Sequence, residues 1–246
     1  MPVNALSVTL AAAVTAIATG LGAVPFLFVG TMSRRNLGLA NGLAAGLMLS
    51  ASLMLLYEGG LRSVNRVALG ALLGGVSIAA SRYVLSNDEE THVGQLQGAD
   101  ALHALMVVGI MTAHSFSEGI GVGVSYGDGD ALGVFVTAAI AVHNIPEGLA
   151  ISLVLVPRGV SVWKAAGWSV FSSLPQPIMA LPAFLFVQAF RPFLPVGLGF
   201  AAGAMLWMVG RELIPDALED ASPRAVALMV ALAAVAMMAF QVLLKG

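Results

Sequence analysis

The sequence has no cysteine. Disulfide scaffolds, thiolate metal sites and cysteine nucleophiles are therefore excluded. Charge is almost as scarce. Eleven Lys and Arg with thirteen Asp and Glu make up 10% of the 246 residues, against about 25% in a soluble domain. The formal net charge of −2 leaves no polybasic footprint, so nucleic acid is not a partner. Disordered chains combine high charge with low hydrophobicity, whereas this one is 59% hydrophobic with mean hydropathy +0.92. An ordinary soluble enzyme is excluded on the same ground. What the chain has in excess is long apolar stretches. They define a polytopic membrane protein whose solvent is the lipid bilayer.

A spanning helix takes ~20 mostly apolar residues. Eight stretches qualify, near 5–29, 37–57, 67–85, 101–125, 131–156, 165–190, 194–215 and 224–244. Lipid cannot satisfy open backbone groups, so these are helices or barrel strands. Barrel strands alternate and these runs do not. The fold class is therefore all-α, with eight transmembrane helices forming one domain over 1–246. The first stretch has no basic region before it and is too long for a signal peptide, so it reads as a retained helix. The polar segment 86–100 holds Asp88, Glu89, Glu90 and His92. It reads as a solvated linker or a weak metal-collecting loop.

Lys and Arg in short loops set orientation. Seven (Arg34, Arg35, Arg82, Arg158, Lys164, Arg211, Arg224) follow helices 1, 3, 5 and 7, and four (Arg62, Arg66, Arg191, Lys245) lie on the other side. This places both termini outside the cytoplasm of a cell (inner) membrane, and the 86–100 loop inside. The turn 126–130 then faces outward. It carries Asp128 and Asp130 and no basic residue, and reads as a Gly/Asp turn or a cation attractor. Small-xxx-small pairs at Gly42/Gly46, Gly70/Gly74 and Gly199/Gly203 allow helices to approach closely.

Ionisable residues inside lipid are functional candidates by default. Glu118 and Glu147 sit in matching segments, HSFSEG over 114–119 and HNIPEG over 143–148. In each, His and Glu are four apart, one turn along a single helical face. His114 lies 14 residues before Asp128 and His143 lies 15 after it. On antiparallel helices both imidazoles then reach the same depth, near mid-membrane. Two imidazoles and two carboxylates suit Zn²⁺, and also Fe²⁺, Mn²⁺ or Cd²⁺. The plainer alternative is two private His–Glu hydrogen bonds. Unpaired carboxylates in lipid cost ~2.5 kcal/mol or more each, which a dication offsets. Pro146 lacks the N–H that would reach the Val142 carbonyl and should bend helix five there. His103, 11 residues before His114, falls on nearly the same face. It reads as an exit-path ligand or a solvated interfacial histidine.

With these motifs the chain resembles the ZIP (Zrt-, Irt-like) divalent metal transporters, in particular the bacterial GufA-like branch. Weaker likenesses are AGLMLSAS over 45–52 to the family's second helix and SSLPQP over 172–177 to its sixth. AAGAML over 201–206 and ELIPD over 212–216 resemble its seventh. The resemblance implies a ZIP-like bundle and a primary transport site at His114, Glu118, His143 and Glu147. It also implies a second site at Ser115, Glu118, Asn144, Glu147 and Gln176. Ser115, Asn144 and Gln176 replace stronger ligands of some members, which weakens that second site. Met48 matches a methionine near the primary site, and Glu212 a position taking part in release. The implied activity is divalent metal transport, most simply zinc uptake into the cytoplasm. An elevator-like motion of helices 1, 4, 5 and 6 would provide it, with a homodimer as the candidate assembly. No G-x-x-x-x-G-K-[ST] loop suggests ATP as the drive. An intramembrane zinc hydrolase is the alternative, but H-E-x-x-H is missing. A structural or sensory protein holding one tight metal is a third reading.

Overall fold

The computed structural model describes residues 4–28, 33–86 and 99–245. Asp88, Glu89, Glu90 and His92, and the side chain of His103, lie outside the described residues. The elements in chain order are α1 (Ala5–Gly20), α2 (Arg34–Arg62), α3 (Val64–Ser86), α4 (Ala99–Asp128) and α5 (Asp130–Leu155). They continue with α6 (Val162–Ser172), α7 (Pro175–Ala189), α8 (Leu194–Met208), α9 (Ile214–Asp220) and α10 (Pro223–Lys245). Among the described residues, six segments are long and apolar enough to cross a membrane: Ala5–Leu27, Arg34–Arg62, Asp130–Arg158, Val162–Ala189, Arg191–Asp220 and Pro223–Phe240. With α3 and α4 they correspond to the eight expected spans.

The differences from a plain eight-helix pattern fall at prolines. The first span tightens into a 3-10 segment over Leu21–Leu27 that contains Pro25. The sixth, expected unbroken over 165–190, divides into α6 and α7. Pro175 lacks the N–H that would continue the ladder, so α7 restarts there with Gln176 in its first turn. The seventh passes from α8 through a π-helical turn, Val209–Leu213, into α9. Pro215 cannot donate to the Arg211 carbonyl, and a π turn re-registers the chain. This segment runs to Asp220 rather than 215, with exposed Arg211 in its π-helical turn.

The polarity of the bundle is inverted relative to a soluble protein. Leu6, Leu10, Val14 and Ile17 of α1 lie exposed on one stripe, as do Leu228, Leu232 and Val235 of α10. Thr15, Asn41, His114, Glu118, His143, Glu147 and Gln176 are buried. Continuous exposed apolar stripes mark a surface made for lipid.

Glycine decides how closely the helices approach. A Cβ at Gly70 or Gly74 would meet the Val196 or Phe200 carbonyl oxygen at 2.1 or 2.0 Å. One at Gly199 or Gly203 would meet that of Val67 or Ala71 at 2.2 or 2.0 Å. These reciprocal contacts join α3 to α8, backbone against backbone. Gly46 packs α2 on α10 at the Val230 carbonyl, 2.5 Å away. All three spacings noted in the sequence therefore sit at close helix crossings. The α4–α5 turn reduces to Gly129, whose φ of 141° suits only glycine. Asp128 ends α4 paired with Arg62 at the end of α2. A turn free to attract cations through Asp128 is corrected by that pair, which neutralises its charge.

Gly203→Ala should destabilise the bundle by about 1–3 kcal/mol or more, since α8 must move off α3 to admit the methyl. Gly167→Ala, with nothing within 4 Å of the added Cβ, should leave stability equal or higher through helix propensity. Thermal unfolding of the two purified variants checks the contrast.

Candidate metal centre

His114 and Glu118 extend from the middle of α4, and His143 and Glu147 from the middle of α5. All four are buried, and each offers a ligand atom within 4.8 Å of the others. His143 Nε2 lies 2.9 Å from Glu118 Oε1 and 3.3 Å from Glu147 Oε1. His114 Nε2 lies 3.6 and 3.5 Å from the same two oxygens. The imidazole rings meet edge to face with centroids 6.3 Å apart.

Private His–Glu hydrogen bonds would give one short contact within each helix and longer ones between helices. The shortest contact instead runs between helices, from His143 to Glu118. His114 Nε2, His143 Nε2, Glu118 Oε1 and Glu147 Oε1 are all without an aligned hydrogen-bond partner. The atoms face a common centre more than each other. A tetrahedral ion with N/O ligands at about 2.1 Å places neighbouring donors about 3.4 Å apart. The four N···O separations of 2.9–3.6 Å bracket that value. Orphaned buried donors of this kind are rare in native structures unless an ion or water completes them.

The helix partners of the site explain the rest of each motif. Gly119, after Glu118, lies where a Cβ would meet the Gln176 carbonyl oxygen at 2.5 Å. Its missing side chain lets the start of α7 press against α4. Gly148, after Glu147, would place a Cβ 1.7 Å from the Thr19 carbonyl oxygen, so α1 closes on α5 there. Gln176 is fully buried and donates from Nε2 to Glu118 Oε2 at 2.6 Å. Asn144 donates from Nδ2 to the Thr15 carbonyl at 2.8 Å and to Gln176 Oε1 at 3.2 Å. Ser115 Oγ and Asn144 Oδ1 are buried and have no hydrogen-bond partner. The structure thus brings Asn144 and Gln176 to Glu118, while Ser115 lies buried next to His114 in α4. Met48 lies buried in the main apolar core, and Glu212 is buried in the π-helical turn.

Sequence reasoning missed Thr15 and Thr19. The Thr15 hydroxyl contacts Gln176 Oε1, and the Thr19 hydroxyl lies 2.7 Å from Ser173 Oγ. Their signal was available: two hydroxyls one turn apart in the otherwise apolar run over 10–21 mark a buried face.

The fold and site define an integral membrane protein of many helices with a buried nitrogen and oxygen cage between two of them. A family model described as ZIP zinc transporter matches residues 80–241, and the chain belongs to that family. It is 48% identical over 99% of its length to an Arabidopsis thaliana protein provisionally named a zinc transporter, of which it spans 40%. It is 35% identical to the zinc transporter GufA of Myxococcus xanthus, over 81% of this chain and 84% of that protein. Identity to the zinc transporter ZIPB of Bordetella bronchiseptica is 32%, over 81% and 69% respectively. The family is one of transporters, and the hydrolase alternative finds no support in it.

Proposed function

We propose that the chain carries zinc across a membrane, with His114, Glu118, His143 and Glu147 binding the ion at mid-depth. The observation that carries this reading is the set of four buried, converging donors without hydrogen-bond partners. The ion is the cargo. Two carboxylates balance its double charge, and two neutral imidazoles complete a tetrahedral set that releases more readily than thiolates would. Fe²⁺, Mn²⁺ and Cd²⁺ suit the same donors and compete with zinc.

Transport requires the site to face each side in turn. The packing supports motion of α1, α4, α5, α6 and α7 against α2, α3, α8 and α10. Within each group glycines bring backbones into contact: α1 with α5 and α4 with α7 in one, α3 with α8 and α2 with α10 in the other. Where α4 meets α8, the contacts at glycine are to side chains. Gly121 faces the Ala201 methyl, and Gly197 faces the Val124 side chain. A face of apolar side chains slides at lower cost than interlocked backbones.

The basic residues favour uptake into the cytoplasm, with both termini outside. A membrane potential then helps. Each elementary charge gains about 2.3 kcal/mol per 100 mV, so two gain ~4.6 kcal/mol, beyond a thousandfold in concentration. Release from the cage is the harder step. Protonation of the ligands or a competing chelator inside supplies it.

Two measurements test the reading. Proteoliposomes holding the purified chain should accumulate labelled zinc saturably without ATP, and Glu147→Ala should abolish that uptake while the protein still inserts. Uptake by Glu147→Ala at the normal rate would overturn the assignment. Protons compete with zinc for imidazole nitrogen and carboxylate oxygen, so equilibrium affinity should fall as pH drops from 8 towards 5. Zinc titration of the detergent-purified protein across that range checks the sign.

A further inference from the structure

The side chains at the second position form a relay of amides, and its polarity has a consequence for how many ions the site holds. It starts from a backbone carbonyl, which cannot rotate. The Thr15 carbonyl accepts from Asn144 Nδ2 at 2.8 Å, so Asn144 must present its NH₂ group there. The same nitrogen lies 3.2 Å from Gln176 Oε1, so Gln176 must present its carbonyl oxygen to Asn144. Gln176 Nε2 therefore points the other way and donates to Glu118 Oε2 at 2.6 Å. Reversing Gln176 would set its oxygen against a carboxylate oxygen at one end and two NH₂ groups against each other at the other. The Thr15 hydroxyl also contacts Gln176 Oε1 and lies 2.7 Å from the Ala12 carbonyl. As it both donates and accepts, it fits either orientation of the amide, and Thr15 alone does not decide it. Asn144 and Gln176 are fully buried, so bulk solvent does not relax these constraints.

Glu118 is thereby divided. Its Oε1 faces the histidines, while its Oε2 is engaged by the Gln176 N–H. We propose that Gln176 is a positioning residue, oriented by Asn144, whose NH₂ group occupies the place a second cation would take on Glu118 Oε2. The centre then holds one zinc. This rests on the four-residue site proposed above. Ligation by Gln176 would require its amide to turn over, losing the hydrogen bonds to Glu118 and Asn144 together. Asn144, hydrogen-bonded to Gln176, adds only a neutral oxygen beside it. The relay also ties α1, α4, α5 and α7 together around the cage, through Thr15, Glu118, Asn144 and Gln176.

The test is equilibrium dialysis of the purified full-length chain against zinc alone, with bound metal counted per chain. Wild type should saturate at one zinc. Gln176→Glu replaces the N–H with a carboxylate oxygen and should bind two. Gln176→Leu should bind one zinc with about 10- to 100-fold lower affinity, the loss expected when a group orienting a ligand is removed. A packing role alone would not change the count. Two saturable zincs in wild type would overturn the proposal without any variant, as would a count of one in Gln176→Glu or wild-type affinity in Gln176→Leu. Glu147→Ala separates the two claims. If it binds zinc as wild type does, the four-residue site falls and this proposal falls with it. If it loses zinc while both Gln176 variants match wild type, only the positioning role falls.

Discussion

A carboxylate within a lipid bilayer has no water to stabilise its charge, and two of them side by side repel. Glu118 and Glu147 are in that position, both buried where α4 and α5 face each other. The surrounding arrangement answers to this constraint. Two imidazoles share the space between the carboxylates, an amide N–H caps the far oxygen of Glu118, and the proposed dication would complete the balance. Replacing the cage with apolar residues would make a simpler bundle, but one without a reason for an ion to enter.

Bringing those charges together demands close helices, and close helices demand glycine. Gly119 and Gly148 follow the two glutamates directly and admit α7 and α1. The third requirement is an interruption of regular helix near the site. Pro175 restarts the chain as α7 one residue before Gln176, which places that amide beside Glu118. Pro146 sits next to Glu147 within α5, which runs as one helix from Asp130 to Leu155. Charge, close packing and broken helices are thus one design. Lipid tolerates polar groups only where protein encloses them.

Much of this was legible in the sequence. Scarce charge and eight long apolar runs gave the fold class, and the paired His-x-x-x-Glu register gave the four central residues at one depth. The three small-xxx-small pairs located two helix crossings, α3 on α8 and α2 on α10. Other features were hidden for physical reasons. Prolines inside apolar runs signal a bend or a break without saying which, so the division at Ser173–Leu174 and the π turn at Val209–Leu213 were not readable. The partner of Asp128 was not readable either, since Arg62 is distant in sequence and the two meet only when α2 and α4 end at the same level. The direction of the Gln176 amide depends on a backbone carbonyl 161 residues away, which no local pattern encodes.

Zinc-edge X-ray absorption on the zinc-loaded protein reads the central claim directly. Four nitrogen or oxygen scatterers at about 2.0–2.1 Å are expected, with the outer-shell scattering of two imidazole rings. A six-oxygen shell without imidazole scattering, or a sulfur ligand from Met48, would contradict a cage built from His114, Glu118, His143 and Glu147.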